Sequence, residues 1–311
     1  MASTESTAGR QGWDAGVPRL AVALLLFVTL IWGSSFLVIK TALEVSGPLF
    51  FQGLRYAFAA LALGLVAAPR FGRLTRLELG IGVLTGFAVA LANGLQALGL
   101  ESISSSKAAF LTALYIPLVP LAQLVFLRDR PGLVAWIGIA MAFAGSVLLA
   151  GPGVDGFDLG RGEVMTIACA AVIAVEIVVI GAFAARVDSR RVSWVQLVVI
   201  AVVTFAAMPL NGEGVPGASL TLFLCAGGLG LGSVVIHVAM YWAQRRLSPT
   251  RATLIYATEP VWAGIIGRIA GDRLGTGGFV GAALIVASVG LAALRRAGGA
   301  ADGKSPAPPD R

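Results

Sequence analysis

Residues 20–39 read LAVALLLFVTLIWGSSFLVI, twenty positions without one charged side chain. At about 1.5 Å of rise per residue, a helix of that length covers the roughly 30 Å hydrocarbon core of a bilayer. No polar stripe at a spacing of 3.6 residues interrupts it, so it does not read as the half-buried helix of a soluble domain. Nine further apolar blocks follow, at 48–68, 79–98, 104–127, 133–150, 164–185, 193–210, 220–243, 252–270 and 277–294. The composition agrees: 57% of residues are hydrophobic and 13% charged, where soluble domains carry about a quarter charged residues. The chain reads as an all-α polytopic membrane protein of ten transmembrane helices.

Charge gives the orientation. Placing the N-terminus inside puts 17 of the 23 Lys and Arg on the inner side and 5 on the outer, with Arg55 inside the second span. Basic residues accumulate on cytoplasmic loops, so both termini are expected in the cytoplasm and segments 151–161 and 211–217 outside. The net charge of +7 then belongs to this asymmetry and implies no nucleic-acid partner. Segments 1–19 and 295–311 are polar and read as disordered cytoplasmic tails. The start lacks a charged, apolar and small-residue cleavage pattern, so the first span is expected to stay in the mature chain. Cys169 and Cys225 both lie in apolar blocks and His237 is the single histidine. No metal site or disulfide framework is expected from them, and no cofactor.

The chain also divides into two. The acidic and glycine-rich joint 151–163 separates a first repeat, 20–150, from a second, 164–294. Ser106-Lys107-Ala108-Ala109-Phe110 resembles Thr250-Arg251-Ala252-Thr253-Leu254 at an offset of 144 residues, and Arg128-Asp129-Arg130 resembles Gly271-Asp272-Arg273. Five spans per half is an odd number, so matching segments start on opposite sides of the membrane. That is an inverted repeat, an architecture of secondary transporters with substrate bound near the midplane.

With these residues in view, the chain resembles the EamA-type branch of the drug/metabolite transporter superfamily. The likeness rests on Trp32-Gly33-Ser34-Ser35-Phe36 followed by Lys40, on the runs beginning at Ser106 and Ser248, on Glu259-Pro260, and on Gly271-Asp272-Arg273-Leu274. It extends over both halves. The resemblance implies ten helices in two inverted five-helix repeats, a central cavity, and export of amino acids or other small metabolites, in bacteria from an inner membrane. The sequence departs from the family pattern at Ile173, where a tryptophan is common, at Glu176, where a neutral aromatic is usual, and at Arg128, where glycine is typical.

Ionisable groups at membrane depth cost roughly 2.5 to 3.5 kcal/mol each on insertion, so those that remain need a partner or a wet cavity. Glu259 lies eleven residues past Ser248 and Glu176 twelve past Val164, about 16 to 18 Å into the membrane from opposite sides. Trp32 and Tyr115 reach the same level; Tyr115 is the repeat mate of Glu259, and Ser35 that of Glu176. The expected substrate-binding residues are Trp32, Ser35, Asn93, Tyr115, Glu176, His237, Tyr256 and Glu259. Glu259 and Glu176 are the candidates for coupling transport to protons. For each there is a structural alternative: an acid hydrogen-bonded to a neighbouring helix, or a packing histidine. Arg55, with Gln52 one turn before it, reads equally as a gate or an anchor. Gln96, one turn after Asn93, reads equally as cavity lining or interhelical glue. Pro117, Pro120 and Pro260 predict kinks near the midplane.

Three function classes follow. The favoured one is a secondary transporter exporting a small amphipathic metabolite by alternating access, with protons as a candidate second ligand and the bilayer as its environment. An uptake carrier or a facilitative uniporter is the alternative, and the pattern leaves monomer and homodimer equally open. An intramembrane serine enzyme would need the nucleophile elbow Gly-x-Ser-x-Gly, which is absent, and a channel would need a continuous polar stripe. No phosphate-binding loop occurs, so ATP is not the direct energy source.

Overall fold

A computed structural model describes residues 16–67, 72–100, 102, 103, 108, 111–150, 160–269 and 276–299. Among them every regular element is helical: α1 (Gly16–Leu43), α2 (Pro48–Ala67), α3 (Arg76–Leu100), α4 (Tyr115–Ala122), α5 (Leu133–Ala150), α6 (Arg161–Phe183), α7 (Ser189–Ala207), α8 (Leu220–Gln244), α9 (Pro249–Tyr256), α10 (Glu259–Ile269) and α11 (Thr276–Gly299). Six of these, α1, α2, α3, α6, α7 and α8, are long and apolar enough to cross a membrane, and Tyr115–Leu127, Leu133–Leu149 and Thr276–Leu291 are shorter apolar helices. The protein is a multi-pass membrane protein. Large apolar side chains such as Leu65, Val66, Val125 and Leu224 stand exposed on the outside of the bundle, which water would penalise and lipid tails do not.

The helix ends follow from local chemistry. Thr75 and Glu78 form a reciprocal capping box at the start of α3, with Thr75 N–H donating to Glu78 Oε2 at 2.9 Å and Glu78 N–H to Thr75 Oγ1 at 3.2 Å. Asp188 caps α7 by accepting from the amides of Arg190 and Arg191, and Ser219 and Ser248 cap α8 and α9. Two carboxylates then tie neighbouring elements together. Glu78 accepts from the Asp188 amide at 3.0 Å and pairs with Arg191 at 2.7 Å, joining α3 to α7. Glu213, in the α7–α8 connection, accepts from the amides of Leu49 and Phe50 at the start of α2.

The span expected over 252–270 is two helices, α9 and α10, separated by a turn at Ala257 and Thr258. A matching turn at Ala113 and Leu114 precedes α4. The bonds around the two turns correspond: Leu114 N–H donates to Leu111 O at 3.2 Å as Thr258 N–H does to Ile255 O at 3.0 Å, and Leu118 to Leu114 as Trp262 to Thr258. Each pair is related by 144 residues. After α4 the helix widens into a π turn over Gln123–Leu127 and ends at Arg128, whose φ is 53°. Gln123 Oε1 there accepts from the Thr250 amide and hydroxyl, serving as the long-range cap of α9.

Other boundaries shift modestly. The first helix starts at Gly16, and the last continues to Gly299, a few residues into the segment read as a tail. Residues 1–15 and 300–311, most of the joint 151–163, and the motif residues Ser106, Lys107, Ala109, Phe110 and 271–274 lie outside the described residues.

In the packing, α3 lies against α6 and α7, α2 against α7 and α8, α1 against α8 and α10, α4 against α6, and α5 against α11. The α5–α11 seam is close because Gly145 faces Gly281: a Cβ on either would meet the other's carbonyl oxygen at 2.5 to 2.6 Å. The largest core cluster, including Leu25, Val28, Ile180, Tyr241, Ala243 and Tyr256, fills the end of the bundle where α1 begins and α8 ends.

Candidate functional site

Above that core cluster, toward the opposite end of the bundle, lies a cavity of about 250 Å³. Its wall is assembled from α1, α2, α3, α6, α8 and the two interrupted segments around α4 and α9–α10. Helical spacing aligns the contributors on each element: Trp32, Ser35 and Ile39 on α1; Gln52, Arg55 and Tyr56 on α2; Val89, Ala92, Asn93 and Gln96 on α3; Cys169, Ile173, Glu176 and Ile177 on α6; Ile236, His237 and Met240 on α8. Tyr115 and Glu259 open the helices that follow the two turns, and both line the cavity.

All eight residues singled out from the sequence therefore border one space. Tyr256 packs its ring edge-on to Trp32, centroids 5.3 Å apart, and its hydroxyl accepts from Gln244 Nε2 at 3.1 Å. Tyr241, below, bonds Thr85 at 2.9 Å. Trp32 and Tyr256 line the cavity, with Tyr241 behind them in the core cluster. Ser35 donates to its own helix at Trp32 O, 2.7 Å, and so leaves its oxygen lone pairs for other partners. Glu176 is buried, with Oε1 accepting from Gln196 Nε2 at 3.1 Å. Glu259 is half-buried and its carboxylate has no hydrogen-bond partner among the described residues. His237 is buried edge-on to Tyr56 at 5.9 Å, and its Nδ1 is unpartnered among the described residues.

Sequence reasoning left Arg55, Gln52 and Gln96 undecided and did not reach Thr112; all four face the same space. The usable signal was the three-residue step from Gln52 to Arg55, which puts both on one helical face. Gln52 Oε1, Asn93 Nδ2 and Thr112 Oγ1 are buried without partners among the described residues. A lining with this many open polar valences and several aromatic rings suits a solute that is part polar and part apolar.

The break in the ninth segment is braced from α1. Thr258 donates to Ile255 O at 2.7 Å, the Thr29 and Thr258 hydroxyls lie 2.9 Å apart, and Trp262 Nε1 donates to Thr29 at 3.2 Å. Gly33 makes this approach possible, because a Cβ there would sit 2.7 Å from Trp262 Cβ and 2.8 Å from Ala263 N.

Comparison with known proteins matches residues 19–151 and 160–294 to the EamA-like transporter family. An uncharacterized transporter of Archaeoglobus fulgidus is 26% identical over 92% of this chain and 90% of its own length. The uncharacterized inner membrane transporter YedA of Escherichia coli is 26% identical over 89% of this chain and 91% of its own. An S-adenosylmethionine/S-adenosylhomocysteine transporter of Chlamydia muridarum is 32% identical over 49% of this chain and 50% of its own. A solved crystal structure shares the fold with a TM-score of 0.76, covering 90% of this chain and 99% of that one at 22% identity.

Proposed function

The chain belongs to the EamA-like transporter family, and from that premise we propose that it is a secondary, ATP-independent exporter of amino acids or other small amphipathic metabolites. In this reading ten spans form two inverted repeats, 20–150 and 164–294, which rock about the cavity to give alternating access. Both termini lie in the cytoplasm of a bacterial inner membrane. The substrate binds among Trp32, Ser35, Asn93, Tyr115, Glu176, His237, Tyr256 and Glu259, and Glu259 with Glu176 exchanges protons for it. The chain is a transporter and not an enzyme.

The observation that carries this reading is the pair of helix interruptions, at 113–114 and 257–258, packed beside one another at one polar cavity. Interrupted helices leave backbone groups and dipole ends at membrane depth only where they line a water-accessible site. Support for the inverted repeat comes from reciprocal packing. Gly53 meets Phe205 while Gly64 meets Trp194, two contacts that exchange partners at a spacing of 141 residues. The α3–α6 contact has its counterpart in α8–α1, α3–α7 in α8–α2, and α4–α6 in α10–α1. The substrates named for the chlamydial relative belong to the same broad class of small metabolite.

Single cysteines test the site. Cysteine at Trp32, Ser35, Tyr115 or Tyr256 is expected to react with a small membrane-impermeant thiol reagent applied from the side opposite the termini, and transported solute is expected to protect it. Cysteine at Ala287, exposed on the outside of the bundle, is expected to stay unlabelled in lipid. Equal labelling at all five positions, or no protection by any solute, would remove the cavity from the account.

A further inference from the structure

Arg55 is a buried cation, 6% exposed, in the α2 wall of the cavity. Its surroundings are neutral. Nε donates to Ser233 Oγ at 2.8 Å, and Ser233 spends its own proton on Leu229 O at 2.9 Å. The guanidinium carbon lies 5.2 Å from the centroid of the Tyr56 ring. No carboxylate pairs with Arg55 among the described residues. A charge taken out of water without a counter-charge is costly, and a hydroxyl with one ring face does not offset it. The remaining guanidinium nitrogens form a fixed two-donor edge whose geometry matches a carboxylate.

Other observations point the same way. Asn93 Nδ2, a donor on α3, is buried in the lining of the same cavity with no partner among the described residues. The same cavity is lined by two carboxylates, Glu176 on α6 and Glu259 on α10, and by Trp32, Tyr115 and Tyr256. One lining therefore carries a cation, two carboxylates and aromatic rings. Its volume of about 250 Å³ falls just below the roughly 300 to 1,000 Å³ of pockets for drug-sized ligands, which favours a small solute.

We infer that Arg55 binds the carboxylate of the transported solute, with Asn93 Nδ2 as a second donor, and that the solute is a zwitterion whose amine faces Glu176 and Glu259. This rests on the transporter reading above and narrows its substrate class. Ser233 is a positioning residue: it turns the guanidinium so that the terminal nitrogens face the cavity. Removing the acid group from the solute leaves Arg55 buried and unpaired in the occupied site, so the penalty falls on the analogue.

The test uses the full chain in proteoliposomes of neutral phosphatidylcholine, which removes anionic lipid headgroups as a competing ligand for Arg55. The probes are labelled leucine, phenylalanine, tryptophan and methionine, each beside its methyl ester and its decarboxylated amine, measured by counterflow. For whichever side chain is carried, the free acid is expected to exceed ester and amine by about tenfold or more. Arg55→Gln is expected to erase that ratio, and Arg55→Lys to restore part of it, while melting in detergent stays close to that of the parent. Ser233→Ala is expected to weaken the ratio without inverting it. Equal transport of acid and ester by the parent protein overturns the assignment while leaving the carrier reading standing, and needs no variant to fold. Retention of the full ratio by Arg55→Gln overturns it equally. Counterflow of none of the probes overturns this assignment together with the amphipathic-metabolite reading.

Discussion

Replacing Glu259 by Gln is expected to leave solute exchange within a few fold of the parent while removing the response of net transport to a pH gradient, a loss of about tenfold or more at a gradient of one unit. The argument starts from position. Glu259 is the first residue of α10, immediately after the turn at Ala257 and Thr258, with its side chain on the cavity and no hydrogen-bond partner among the described residues. A carboxylate so placed holds a proton or a substrate amine, but not both. Mutual exclusion at one group that faces each side in turn is the minimal element of proton antiport. The other charged and titratable groups on the same cavity are Arg55, Tyr56, Tyr115, Cys169, Glu176, His237 and Tyr256; of these Glu176 is engaged with Gln196, so Glu176→Gln is expected to change solute preference more than pH response. Gln retains the size of Glu and its capacity for hydrogen bonds, which keeps the comparison on titration alone. Unaltered pH-driven efflux by Glu259→Gln would reduce that residue to a structural part and move proton coupling to another group.

Gly33→Val is expected to abolish transport and to lower stability by about 1 to 3 kcal/mol, the range for overpacking a well-filled contact. The side chain has nowhere to go. Its Cβ would sit under 3 Å from Trp262 Cβ and from the Ala263 amide nitrogen, at 2.7 and 2.8 Å, and α10 cannot retreat without parting the Trp262–Thr29–Thr258 bonds that hold the interruption in shape. Glu259 rides on the same half-helix. Gly290→Ala is the matched control, since nothing lies within 4 Å of the Cβ that it would carry. Thermal melting in detergent and proteoliposome flux, measured side by side, check both parts. Flux through Gly33→Val equal to that through Gly290→Ala would show that α1 and α10 are not held in contact during transport.

What the sequence revealed and what it hid divide along physical lines. Depth was legible because helical rise is a constant: counting from the predicted span ends set Trp32, Tyr115, Glu176 and Glu259 at one level, and they share a cavity. The prolines were legible as trouble spots but not as to where the trouble falls. Proline removes the bond to the carbonyl four residues earlier, so Pro117 acts at Ala113 and Pro260 at Tyr256. The turns open there, and each proline then sits comfortably in the first turn of the helix that follows. Arg55 stayed ambiguous because its one hydrogen-bonding partner among the described residues, Ser233, is 178 residues away. No local pattern marks such a pair. The cap that Gln123 places on α9 is hidden for the same reason, spanning 127 residues between halves of the chain. The seam between α5 and α11, by contrast, has a local mark in the sequence, Gly277 and Gly281 four residues apart, of which Gly281 makes the contact with Gly145.

The central claim is that one cavity between two halves opens to each side of the membrane in turn, and counterflow measures that most directly. Proteoliposomes loaded with millimolar unlabelled amino acids, diluted into buffer with a trace of the same labelled compounds, are expected to accumulate label transiently above its equilibrium level and then release it. The overshoot arises because a returning carrier is occupied by unlabelled solute from inside, and it needs no ion gradient. Label that climbs only to equilibrium, or no faster than in vesicles without protein, would contradict an alternating-access carrier for these solutes.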